Sequence, residues 1–458
     1  MRNAILGGPI AATLHQLTRP MIIGILAMMF FSLVDAWFVS LLGTTSLAAV
    51  SFAQPVTMVI SNMAIGLGIA LSALIARAVG VDDTLSLRRA LTSGLMLSFV
   101  LGTVLWLIGV LNHDALFRAM GADAELLPEI WAYMVYWWPG SILLLALMMQ
   151  NASLRAMGNT KLPSLMMLAA AMLNAILDPL LIFGLGPIPA MGIGGASLAS
   201  GICWAIVLGV IMQQQIRQGY VSFVELTLKQ MLALWRRLLE LGIPAMITNL
   251  LVPVAGAILL SMIANSGEAA VAGFGVGMRF DSFLLSLVLA LTATLPAFIA
   301  QNHAAGNDDR IWLVMNYSLR LVVIAQLSIC AVLWLVAEPL AQLFSEDAEV
   351  VKVTVMYLHW LPLGYIGMGI VLCVNAALNS LQRTVISMVL NTVRLFVFYV
   401  LGAVIGLQLD GVRGLLIGAA LGNLLAGGIV WWLMLRMQSR GELSFGSFQL
   451  SLDRISRH

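Results

Sequence analysis

NASLRAMGNT, residues 151–160, and NAALNSLQRT, residues 375–384, are the stretches whose comparison decides the fold. Both open on Asn-Ala, 224 positions apart, and other stretches pair in the same way. Leu17-Thr18-Arg19-Pro20 is answered by Leu241-Gly242-Ile243-Pro244 at the same offset of 224, and AVGVDD, ending at Asp83, by AAGNDD, ending at Asp309, at 226. Three matches that keep nearly one register over half the chain describe a duplicated unit.

What is duplicated follows from composition. The chain has 458 residues, 61% hydrophobic and 10% charged, with a mean hydropathy of +1.00, which excludes a soluble globular domain. A hydrocarbon core of about 30 Å takes roughly 20 helical residues to cross. Apolar stretches of that length fall near 16–42, 47–76, 89–111, 129–149, 161–185, 193–216, 240–264, 269–300, 311–336, 352–378, 384–408 and 412–436. The expected fold is therefore an all-α integral membrane protein with twelve transmembrane helices. Six spans per repeat is an even number, so both copies enter the membrane in the same direction. The two six-helix lobes are then expected to be related by a pseudo-twofold axis along the membrane normal, with substrate held in the cleft between them.

The boundaries expected are an N-lobe over 1–216, a cytoplasmic linker over 217–239, a C-lobe over 240–440 and a cytoplasmic tail over 441–458. The linker sequence QGYVSFVELTLKQMLALWRR is amphipathic, and with Trp235 and Arg236 it reads as a helix lying on the membrane surface. The loops on the side of Arg2 and Arg19 carry most of the cations, whereas the opposite loops carry only Arg118, Lys352 and Arg413. The positive-inside rule puts both termini in the cytoplasm. The N-terminus lacks the compact apolar core and cleavage site of a signal peptide. Cys203, Cys330 and Cys373 fall inside spans and define no disulfide framework.

Against that apolar background Asp35 stands out, in FFSLVDAWFVSLLG (30–43), with no other charge between Arg19 and Arg77. A carboxylate stays ionised there only where water, a cation or hydrogen-bond donors reach it, and intramembrane ionisable residues mark function by default. The alternative is an Asp kept protonated and bonded to a neighbouring helix. In AMLNAILDPLLIFGLG (171–186) Asn174 and Asp178 share one helix face, and Pro179 frees the carbonyl of Ala175. Those groups suit a proton or small-cation site; a proline kink with its polar groups satisfied locally is the other reading. Pro20 lies about four turns before Asp35 and weakens the bond to the carbonyl of Gln16, a candidate hinge. The second repeat has no ionisable residue after Glu240 in its first span and carries Arg394 at 384–408, so the ion site is expected in the first half. Arg279 and Asp281 read as a local pair or as groups lining a vestibule. No phosphate-cradling loop, His/Cys metal set or Ser–His–Asp spacing is present, so neither an enzyme nor a bound cofactor or metal is expected, and nothing suggests a nucleic-acid surface.

Taken in order, SLVDAWFVSLLGTTSLAAVSFAQP, NASLRAMGNT, NAILDPLLIFGLG and GFGVGMRFDSF resemble the multidrug and toxic compound extrusion (MATE) transporters, in particular the bacterial DNA-damage-inducible F (DinF) branch, over roughly 10–440. The resemblance implies export of cationic amphipathic drugs in exchange for protons, or alternatively sodium, by a monomer in the bacterial inner membrane. It implies a coupling site of Asp35, Asn174 and Asp178, with Tyr136, Asn151, Ser197 and Ser200 as polar contributors from the cleft and Pro20 as the hinge. The Glu in the seventh span and the Asp in the tenth that mark another branch are missing here. A lipid-linked glycan flippase of related fold, and a channel or receptor, are the competing readings.

Overall fold

The structure, a computed structural model, describes residues 2–439 apart from 185, 188 and 222–225. The first half comprises α1 (Arg2–Gly7), α2 (Ile10–Ser40), α3 (Thr44–Gly80), α4 (Thr84–Leu111), α5 (His113–Ala119), α6 (Leu127–Ala156), α7 (Lys161–Ile182) and α8 (Ile193–Arg217). The second comprises α9 (Leu228–Ala264), α10 (Glu268–Leu284), α11 (Ser286–Ala304), α12 (Asp308–Gln342), α13 (Ala348–Ser380), α14 (Thr384–Thr392), a π-helical segment (Val393–Val400) and α15 (Leu401–Ser439). The expected tail, 441–458, lies outside the described residues.

Among the described residues eleven helical stretches are long and apolar enough to cross a membrane. They make twelve passes, because the last stretch, Thr384–Gln438, is two. Asp410 and Gly411 leave helical geometry, Gly411 with φ 55 and ψ −140, a conformation that glycine adopts without a steric penalty. Past that turn the chain runs back along itself. A Cβ on Gly406 would strike the carbonyl of Gly414, one on Gly402 the carbonyl of Gly418, and one on Gly422 the carbonyl of Phe398. Partners that separate by four residues on either side of 410 describe an antiparallel hairpin with a seam of glycines, where small residues let two backbones approach.

The eighth pass is interrupted. Where the apolar pattern reads one span over 269–300, α10 and α11 meet at Leu285, with φ −93 and ψ 0. Gln326 Nε2 of α12 donates to the Leu284 carbonyl at the break, at 3.0 Å. The seventh pass differs the other way. The later part of the expected surface linker and the seventh span form one continuous helix, α9, from Leu228. Its charges look like a linker to hydropathy, yet Arg236 Nε pairs with Glu240 Oε1 at 2.9 Å one turn on, a spacing that favours helix. The Trp235 indole donates to the Ser93 carbonyl at 3.0 Å, docking this segment on α4.

By contact the described residues fall into two compact units, Arg19–Met246 on one hand, and Arg2–Thr18 with the residues from Ile247 onward on the other. In the second unit His15 Nε2 lies 2.7 Å from the Tyr317 hydroxyl, and Arg310 Nη2 donates to the Gly8 carbonyl at 2.7 Å. Both boundaries between units fall inside a long helix, α2 or α9, within three residues of Pro20 or Pro244. These are the prolines that match in the repeat.

Asp83 caps α4 by accepting from the Ser86 amide at 2.9 Å. The hydrogen bonds from Ser86 hold its carboxyl below the usual carboxylate value. A depressed folded-state value means that the stabilisation is present above the unfolded value of about 3.9 and is lost as pH falls through the folded one. Asp83→Ala is therefore expected to destabilise the first unit by about 1 kcal/mol at neutral pH. Thermal melts of the pair at pH 7 and pH 3 check this; the difference should shrink in acid.

Candidate functional site: a carboxyl pair in the first unit

Asn174 and Asp178 lie one turn apart on α7, and Asn174 Nδ2 donates to Asp178 Oδ1 at 2.7 Å. The Asn174 oxygen in turn accepts from Ser200 Oγ of α8 at 3.3 Å. Asn174 is 4% exposed and Asp178 fully buried. Asp35, half-buried on α2, comes close enough to Asp178 for the two carboxyl groups to interact directly. Pro179, inside α7, has no N–H to offer the Ala175 carbonyl.

Ser197 belongs to the same level. α7 and α8 are antiparallel neighbours, with Ser200 beside Asn174 and Gly195 packed on the Leu181 carbonyl, so their register sets Ser197 opposite Asp178. Both carry a buried oxygen without a hydrogen-bond partner, Ser197 Oγ and Asp178 Oδ2. Tyr136 packs against Gly194 near the start of α8. Tyr133, one turn before it on α6, interacts with both Asp35 and Asp178. Tyr133 is not among the residues that the sequence pattern implies.

These groups sit at one end of their helices: Asp35 and Asp178 near the C-terminal ends of α2 and α7, and Tyr133 near the N-terminal end of α6. Asn151 is buried but does not join them. It is eighteen residues along α6 from Tyr133, about 27 Å at 1.5 Å per residue, and its Oδ1 has no hydrogen-bond partner. Pro20 lies within α2, which continues as helix through it.

In the second unit Arg279 and Asp281 do not form the local pair that their spacing suggested. Residues two apart on a helix point to different sides, and the Asp281 oxygens accept instead from Tyr357 and Tyr365. Arg394 is buried on the π-helical segment and donates to the side-chain oxygens of Asn391 and Asn423 at 3.0–3.2 Å.

Chemically, two carboxyl groups in contact form a hydrogen bond only when one of them carries a proton; with none they repel. Asn174 fixes one oxygen of the pair, and Asp35 keeps a partly open side. The pair can therefore share one proton between α2 and α7. Asn174→Ala leaves Asp178 Oδ1 buried without its amide donor, a cost of about 1–3 kcal/mol. Thermal melts of the purified protein are expected to show that loss, with a smaller one for Ser200→Ala.

Comparisons with known proteins agree with the two-part reading. The family described as MatE matches twice, at residues 20–180 and 244–405, which repeats the internal offset. A protein of Shewanella oneidensis described as an FAD transporter is 37% identical, covering 95% of this chain and 97% of that protein. The multidrug export protein MepA of Staphylococcus haemolyticus is 25% identical over 85% of this chain and 86% of its own length. Among solved structures, the Vibrio cholerae MATE transporter VcmN in its bent form superposes with a TM-score of 0.88 at 30% identity, covering 95% of this chain and 98% of that one.

Proposed function

We propose, since the chain belongs to the MATE family of membrane transporters, that it exports cationic amphipathic compounds in exchange for protons, coupled through Asp35, Asn174 and Asp178. What supports this reading is the approach of two carboxyl groups from different helices, α2 and α7, with one of them fixed by the Asn174 amide at 2.7 Å. Proton binding there changes how α2 is held to α7. It also removes the negative charge that attracts a cationic cargo, so proton entry and drug release exclude one another. Pro20 is the place where α2 bends at least cost. The lack of acidic residues in α9 beyond Glu240, and in α13 beyond Glu349, supports a branch that couples in the first repeat. The cation-rich loops support cytoplasmic termini, and the bacterial relatives support a plasma-membrane location.

A second cargo is favoured by a specific observation. The Shewanella relative is described as an FAD transporter, and a flavin nucleotide is an aromatic amphipath with anionic phosphates. Proteoliposomes loaded with a fluorescent cationic dye or with FAD, and given proton or sodium gradients in turn, separate these readings. Dye efflux driven by the proton gradient alone supports the proposal. FAD efflux without dye efflux moves the cargo to nucleotides, and sodium-driven efflux replaces proton coupling by sodium ligation.

A further inference from the structure

The second unit holds a carboxylate in a comparable setting. Asp281 lies on α10 one turn before the break at Leu285, thirteen residues from the helix start and so about 20 Å along it. Gly277, one turn earlier on the same face, leaves room for the ring of Tyr357 from α13; a Cβ there would strike that ring. Seated in this groove, Tyr357 brings its hydroxyl to both Asp281 oxygens, at 2.8 and 2.9 Å. Tyr365, about two turns on, also donates to Asp281 Oδ1. The two tyrosines are buried and Asp281 is half-buried.

Tyr357 has a counterpart in the other repeat. The residue 224 positions earlier is Tyr133, the offset that also pairs Pro20 with Pro244. In each unit, then, the same position of the fourth pass of the repeat carries a phenol within electrostatic reach of that unit's membrane acid, and in the second unit it is hydrogen-bonded to it; the acids come from α2 and α7 in one and from α10 in the other. Ionisable groups at depth in a membrane mark function by default, and interrupted helices are where coupling ions bind. Resting on the reading of the chain as a proton-driven transporter, we propose that Asp281 is a second proton-binding carboxylate of the transport cycle, organised by Tyr357 and Tyr365.

A proton fits this site better than a metal ion. Both carboxylate oxygens already accept phenolic hydrogens, a hard cation needs a cage of oxygens, and no metal-type cluster of His, Cys, Asp and Glu exists among the described residues. A proton arriving on one oxygen makes that oxygen a donor, so the hydroxyl beside it must turn and accept. The titratable groups around Asp281 are Tyr357 and Tyr365 of α13, Tyr399 of the π-helical segment, which interacts with both Asp281 and Arg394, and Arg279 two residues before it on α10. α12, which also packs on α10, brings Gln326 to the break. Arg394 stands beyond Tyr399, held by neutral amides. Tyr399 lies on the π-helical segment that leads into α15, so a change of charge at Asp281 reaches the hairpin through that phenol.

Acid-minus-alkaline infrared difference spectra of the purified full-length protein test the assignment through the protonated-carboxyl band. Asp281→Asn is expected to remove one component of the band that Asp35→Asn retains, and Tyr357→Phe to shift the pH midpoint of that component without removing it. A spectrum of Asp281→Asn identical to wild type overturns the proposal, as does an unmoved midpoint in Tyr357→Phe, which still reports should Asp281→Asn fail to fold. Because Asp35→Asn removes a different component, failure at Asp281 is distinguishable from failure of the first-unit reading.

Discussion

Asp35→Asn is expected to abolish the dependence of efflux on the proton gradient while leaving the protein folded. Asparagine keeps the size of the side chain and its acceptor oxygen, and at a half-buried position the substitution leaves no cavity, so the thermal midpoint should move little. What it loses is the ability to exchange a proton with Asp178. Each pH unit across the membrane supplies about 1.4 kcal/mol per proton, enough for a tenfold difference in the drug gradient at equilibrium. Without a titrating group on α2 that free energy has no route to the cargo. Dye efflux from proteoliposomes, measured with and without a one-unit pH gradient, should show about a tenfold difference in wild-type accumulation ratio and none in the variant. Unchanged gradient dependence in a folded Asp35→Asn would remove Asp35 from the mechanism. Asp178→Asn should also uncouple, with a larger structural effect, because Asp178 is fully buried and holds Asn174.

Much of this was legible in the residues, for identifiable reasons. The repeat register, the span count and the split near 410 depend on hydropathy and glycine placement, which survive reading one dimension at a time. Asn174 and Asp178 were legible because four residues make one helical turn. The break at Leu285 was not, because neither glycine nor proline marks it and apolar residues continue through it. The start of α9 was hidden by charges that pair along the helix. Asn151 enters through the family resemblance of NASLRAMGNT, whereas depth along α6 separates it from the acids. Tyr133 carried a usable signal, its match to Tyr357 across the repeat, but only the partner acids give that match a meaning, and those come from other helices.

Gly406→Leu is expected to have the largest structural effect of any single substitution considered. Where α14–α15 folds back at Asp410–Gly411, the two arms approach at this level because Gly406 and Gly414 both lack side chains, and the atom a Cβ on Gly406 would meet is the Gly414 carbonyl. A backbone oxygen cannot rotate out of the way as a side chain does. The arms must part, and the neighbouring contacts of Gly402 with Gly418 and of Gly422 with Phe398 part with them. Overpacking ordinarily costs about 1–3 kcal/mol, occasionally more, and several contacts opening together place this case at the upper end. Gly428, exposed on the other arm with nothing near its would-be Cβ, is the matched control, since Gly428→Leu adds the same side chain to open space. Thermal melts followed by size-exclusion retention should show Gly406→Leu losing its monodisperse peak well below wild type and Gly428→Leu close to it. Equal melts would mean that the seam does not hold the hairpin. In that case the segment 384–439 would owe its two passes to the turn at Gly411 alone, and Arg394 and Asn423, which face each other across the same hairpin, would become its principal lock.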